Sequence, residues 1–171
     1  MLSLLLRPLR QLLRILKAHD TPAQIAGGFT LGALIGWLPM GNLIAVAALL
    51  LLCSIRVSRP AGVLGAMLFV WIGAVADPFA HAIGLKLLNI GSLEEFYTAL
   101  YNAPTGPWIG FNNTVVLGSL VLGVYFSFPI FWLSYWLCHV VQQHLAERAR
   151  RRAVHQLVAG MNLGAPWGLA A

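Results

Sequence analysis

The chain has 171 residues, 59% of them hydrophobic and only 9% charged, whereas ordinary soluble domains carry roughly 45–50% apolar and about 25% charged residues. So little charge excludes a water-soluble surface for a fold of this length and implies lipid as the solvent, in keeping with a mean hydropathy of +0.79. The net charge of +6 sits in groups beside long apolar stretches, as charge that sets membrane orientation does; no aromatic platform or basic reading helix accompanies it, so nucleic acid is not an expected partner.

The first segment spaces Arg7, Arg10, Arg14 and Lys17 by three, four and three residues, which gathers them on one helical face. Leu5, Leu9, Leu12, Leu13 and Leu16 cover much of the remainder. Such a helix is expected to lie in the headgroup plane, its basic side on anionic lipid. The same arginines interrupt the leucines throughout residues 2–18, unlike the uninterrupted apolar stretch of a secretory signal.

Asp20-Thr21-Pro22 reads as a helix start, and an apolar helix is expected to Leu38. Gly28, Gly32 and Gly36 recur every four residues within it, a bare stripe that lets a neighbouring backbone approach inside a bilayer. Pro39-Met40-Gly41-Asn42 breaks that helix, with Asn42 placed to cap the next. The run Leu43–Ile55 then returns to Arg56 and Arg59. The two arms measure about 25 Å and about 20 Å against a hydrocarbon core of roughly 30 Å, so a full hairpin and a re-entrant one both remain open.

Pro60 opens a third helix, expected to Ala76, where Asp77-Pro78 should break it; Phe79–Ile90 continues as a shorter apolar stretch. Ser92-Leu93-Glu94-Glu95 has the capping-box pattern, so a short helix is expected over 93–102. Pro104, Gly106, Pro107 and Gly110 make 103–113 a loop. Val115 to Val141 is the longest apolar run, about 40 Å if helical, with Pro129 the natural place to bend. Asn113 or Thr114 should cap it. Arg148, Arg150, Arg151 and Arg152 follow, then a glycine-rich tail.

The expected architecture is all-α and membrane-integral: an N-terminal amphipathic interfacial helix, a Pro-broken hairpin, a third Pro-broken crossing and a long C-terminal transmembrane helix. Residues 1–152 form one domain and 153–171 a weakly ordered cytoplasmic tail. Placing the basic groups together leaves both termini and every basic residue except Lys86 cytoplasmic, with 77–113 outside. That topology is the one expected of a multi-pass membrane protein.

Asp77 and His81 are four apart, so both can share a helix face; an ionisable pair there can bind a polar ligand or move protons, while Asp77 before Pro78 can equally cap amides. The two Pro-interrupted segments are of the kind that transporters use to bind substrate. No nucleophile–base pair, phosphate loop or metal-ligand spacing is present, and His139 and His144 are five apart. Cys53 and Cys138 lie within apolar runs as small hydrophobes. Neither catalytic residue, metal nor cofactor is expected.

At Pro39-Met40-Gly41-Asn42-Leu43, at Asp77-Pro78 with His81 and Gly84, and above all at Phe111-Asn112-Asn113-Thr114-Val115-Val116-Leu117-Gly118-Ser119, the chain resembles a bacterial inner-membrane family, domain of unknown function 2062, in its short stand-alone branch. The resemblance covers residues 2–140. It implies a subunit of an envelope assembly that handles lipid, in bacteria with an outer membrane and encoded beside one large partner protein, and carries over no catalytic residue. The expected function is therefore a non-catalytic subunit docking an envelope partner, in an assembly that transports lipid between membranes. Pro39, Gly41, Asn42, Asp77, Pro78, His81, Asn112 and Asn113 are its candidate partner- or ligand-binding residues. The alternative is a small homo-oligomeric transporter or channel built on the Pro-broken helices.

Overall fold

The computed structural model describes residues 20–39 and 41–163. The basic segment with Arg7, Arg10, Arg14 and Lys17 therefore lies outside the described residues, as do residues 164–171. The described chain is helical without strands: α1 (Pro22–Trp37), α2 (Leu43–Ser54), α3 (Arg59–Leu88), a 3-10 turn (Gly91–Leu93), α4 (Glu94–Asn102), α5 (Gly106–Ile109) and α6 (Thr114–Leu163).

Local chemistry sets most of the helix ends. Thr21 caps α1 in a reciprocal capping box with Gln24, and Pro22 occupies the first turn, where no amide is needed. Gly41 takes φ +98°, which an L side chain resists. Asn42 then caps α2 by accepting from the Ala45 amide at 2.7 Å while donating to the Pro39 carbonyl at 2.8 Å. Asn113 caps α6, its Oδ1 accepting from the Val115 amide at 2.9 Å.

Three helices make the bundle. Along α1, Gly28, Gly32 and Gly36 lie successively against the carbonyls of Ser58, Gly62 and Ala66, so α1 and α3 run parallel. A Cβ at any of the three would overlap α3 backbone. In lipid, where burial of apolar surface gives helices little reason to associate, such close backbone packing supplies the attraction. Helix α6 runs antiparallel to both, with Gly84 against the Thr114 carbonyl and Gly118 against that of Ala80. Trp37 joins all three helices, its ring 5.8 Å from Phe69 and 5.4 Å from Phe126.

Helix α2 rests lightly on this bundle, through Ala48 and Leu52 against Ile35 and Leu31. Its 12 residues measure about 18 Å. Residues 55–58 complete the return through a tight turn in which the Val57 amide donates to the Ile55 carbonyl at 2.9 Å, and the Ser58 amide donates to the Gln24 carbonyl at 3.0 Å. At the opposite end the hairpin tip reaches the 91–113 segment, with the Asn42 Cβ 3.9 Å from the Cβ position of Gly110.

Several expectations need correcting. Helix α3 is continuous through Pro78 for 30 residues, so there is no Pro-broken third crossing. Pro78 removes the amide that would bond the Ala74 carbonyl and crowds that carbonyl with its ring; α3 packs on α1 before the proline and on α6 after it, through Gly73, Ala80 and Gly84, and these contacts outweigh the loss. Ser92 caps nothing: a 3-10 turn runs straight into α4, leaving Leu93 at the cap position in helical geometry without a side-chain bond. Residues 106–109 of the expected loop form α5. Helix α6 runs through Pro129 to Leu163, so residues 153–163 of the expected tail are helical. Within α6, Ser119 is fully buried with its hydroxyl unpaired, and the Ser127 hydroxyl donates to the Gly123 carbonyl at 2.6 Å.

The outer surface is apolar. Val63, Met67, Trp71, Val75 and Phe79 form an exposed stripe on α3 at four-residue spacing, opposite the packed Gly62, Gly65, Phe69 and Gly73. Tyr125, Phe128, Trp132 and Trp136 do the same on α6. Both α3 and Thr114–Arg148 are long and apolar enough to cross a membrane, and only 22% and 28% of their most apolar stretches are buried. A core helix of a soluble protein hides most of such a stretch, and soluble monomers rarely expose patches above a few hundred Å².

Candidate functional site

The antiparallel fit of α6 to α1 and α3 gives the bundle two unlike poles. At one, the Gln142 side chain donates to the Asp20 carbonyl at 3.2 Å, with exposed Arg56 and Arg59 at the start of α3 and exposed Arg148, Arg150 and Arg151 beyond Gln142 on α6. At the other lie the hairpin tip, the end of α3 with Lys86, and residues 91–113.

The second pole collects the motifs separated in sequence. Asn42 is buried (7% exposed) under Gly110, which turns the chain into α6 at φ +74° and accepts from the Asn113 amide at 3.0 Å. His81 Nδ1 lies 2.6 Å from the Thr114 hydroxyl, one residue beyond Asn113. Pro39 faces Asp77 across a groove of about 140 Å³ between α1 and α3. Asn112 lines a separate cleft of about 320 Å³ with Leu88, Glu94, Tyr97, Tyr101 and Phe111.

The expected Asp77–His81 pair is not assembled. The two share a helix, yet His81 bonds to Thr114 on α6 while Asp77 opens on the groove beside Pro39. Asp77 caps no helix, because α3 does not start there. Pro78 is exposed within α3, and Gly41 is exposed in the turn. Among the described residues no group of three His, Cys, Asp or Glu could hold a metal ion.

Sequence reasoning missed Thr114 as the partner of His81, and Glu94, Tyr97 and Tyr101 as cleft walls. It also missed the α3–α6 crossing, where Ala80 and Gly84 meet Thr114 and Gly118. Each of those pairs has the four-residue spacing read as a packing stripe in α1, so that signal was available.

Comparison with known proteins agrees on a family. Residues 6–147 match the family described as "Uncharacterized protein conserved in bacteria (DUF2062)". A protein of Treponema pallidum (strain Nichols), described as an uncharacterized protein, is 26% identical over 154 residues, 90% of this chain and 95% of the relative. No solved structure matches.

Proposed function

The chain belongs to that bacterial family, and we propose that it is a non-catalytic subunit of the inner membrane that docks a large envelope partner through its motif-bearing pole. In this reading α3 and Thr114–Arg148 cross the bilayer, the α1–α2 hairpin enters from the basic pole, and both termini are cytoplasmic. The apolar stripes of α3 and α6 face lipid. The basic pole faces the cytoplasm by the bias of Arg and Lys towards that side.

The supporting observation is the gathering of Pro39, Asn42, His81 and Asn112–Thr114 at one pole, beside a cleft lined by Asn112 and large enough for a partner's side chains. Helix α4 adds exposed Phe96 and Tyr101, and α5 adds Trp108, which is 73% exposed. Exposed aromatic anchors around a pocket are the residues on which interfaces depend most. Transport of lipid by the assembly is part of the proposal. The transporter alternative drew on two broken helices, and with α3 continuous only the Pro39 break supports it.

Affinity purification of the full chain from native membranes, read by mass spectrometry, tests the proposal. A large envelope protein should co-purify with wild type and be lost from Tyr101→Ala and Asn112→Ala at unchanged expression. Recovery of the chain alone, at native levels and in mild detergent, would overturn it.

A further inference from the structure

The groove between α1 and α3 is lined by Gly36, Trp37, Leu38, Pro39, Val70, Gly73, Ala74 and Asp77; its chemistry is set by carbonyls and by one carboxylate. The last carbonyls of any α-helix lack intrahelical donors, and at the end of α1 Pro39 has no N–H to offer Ile35. The carbonyl oxygens of Gly36 and Trp37 lie 3.3 and 3.2 Å from the Cβ position of Gly73, so they face α3 at the groove. On the other wall Pro78 leaves the Ala74 carbonyl without its helical donor.

Asp77 adds a full negative charge to these acceptors. It is exposed, and among the described residues it forms no ion pair; the next basic residue along α3 is Lys86. The α1 C-terminus contributes the negative end of a helix dipole to the same place. A site offering carbonyl and carboxylate oxygens beside an unpaired acidic charge suits a cation that donates several hydrogen bonds. At about 140 Å³ it lies below the roughly 300–1,000 Å³ of sites that enclose a whole small molecule, so it admits a headgroup rather than a full ligand.

The position of the groove indicates the source of that cation. Asp77 stands about 27 Å along α3 from Arg59, close to the far edge of a hydrocarbon layer of roughly 30 Å. Val70 and Ala74, both exposed, line the groove beside Asp77 on α3, an apolar surface for the start of the acyl chains. We infer that this groove binds the primary ammonium of a phospholipid headgroup, with Asp77 as counter-ion and the carbonyls of Gly36, Trp37 and Ala74 as further acceptors. The inference rests on the membrane placement proposed above and is independent of the protein partner.

The test uses the full chain purified in detergent and phosphatidylethanolamine, phosphatidylcholine and phosphatidylglycerol with identical acyl chains, read by native mass spectrometry. Wild type should retain phosphatidylethanolamine about tenfold over phosphatidylcholine, whose quaternary ammonium donates no hydrogen bond. Asp77→Asn should reduce phosphatidylethanolamine to the phosphatidylcholine level and leave phosphatidylglycerol unchanged. Pro78→Ala, which returns a donor to the Ala74 carbonyl, should weaken phosphatidylethanolamine without altering the circular-dichroism melt, and it carries the test if Asp77→Asn does not fold. Equal retention of the two zwitterionic lipids by wild type, or of phosphatidylethanolamine by wild type and a folded Asp77→Asn, overturns the inference. So does a thermal shift from free ethanolamine or potassium that depends on Asp77 when no lipid preference is present. Carbonate extraction of native membranes separates the two readings: release of the chain defeats the membrane placement, whereas retention together with lost lipid preference defeats only the headgroup site.

Discussion

His81 near the end of α3 and Thr114 in the first turn of α6 are 33 residues apart in the chain, yet their side chains meet at 2.6 Å. The contact exists because Gly84 and Gly118 let the two helices close to backbone contact on either side of it. The bond therefore reports on the seating of α6 against α3.

Removing either partner should loosen that seating. A hydrogen bond of this kind contributes about 0.5–1.5 kcal/mol net, so His81→Ala and Thr114→Val should each lower the melting temperature in detergent. The double variant should be no worse than the more damaging single, because both changes delete one interaction. Fully additive losses would show that the two side chains act separately.

The α1 stripe allows a sharper contrast. Gly32→Leu drives a side chain into the Gly62 backbone, and overpacking typically costs about 1–3 kcal/mol. Gly91→Ala, with nothing within 4 Å of the added Cβ, should be close to neutral. Equal melting temperatures and yields for the two variants would contradict the parallel packing of α1 on α3.

Asn42 serves two bonds with two atoms, so its variants should rank. Asn42→Ala loses the cap of α2, at about 1 kcal/mol, together with the donor to the Pro39 carbonyl. Asn42→Asp keeps an acceptor for the Ala45 amide and loses only that donor. Thermal melts should place Asn42→Asp between wild type and Asn42→Ala; the reverse order would mean that the turn, rather than the cap, dominates.

Orientation is open to single-cysteine labelling in a background without Cys53 and Cys138. Cysteine at Thr105, exposed at the motif pole, should react with an impermeant thiol reagent applied from the periplasm. Cysteine at Arg150, exposed beyond the basic pole, should not. Reversed labelling would invert the proposed topology.

What could be read in the sequence was what local chemistry decides. Thr21, Asn42 and Asn113 each carry a cap in the side chain itself, and the glycines of α1 announce a close approach by spacing alone. Pro78 misled because its penalty is local and its compensation is not: the contacts that keep α3 straight through it come from α1 and α6. Ser92 failed for a related reason, since a 3-10 turn leaves no extended residue at the cap position. The candidate residues were visible one by one, but their gathering depends on the register of α6 against α3. The i,i+4 spacing of Asp77 and His81 gave their shared face and could not reveal that one turns to α6 and the other to α1.

The parallel pairing of α1 with α3 bears on how the chain is made. In the proposed membrane placement, a nascent polypeptide presents α1 to the bilayer before any of α3 has been synthesised, and the hairpin return α2 rests on Leu31 and Ile35, leaving Gly28, Gly32 and Gly36 uncovered. With 16 and 12 residues neither arm matches a full crossing of roughly 20. In that placement insertion of the hairpin is a provisional step, and its commitment waits for a helix that leaves the ribosome later.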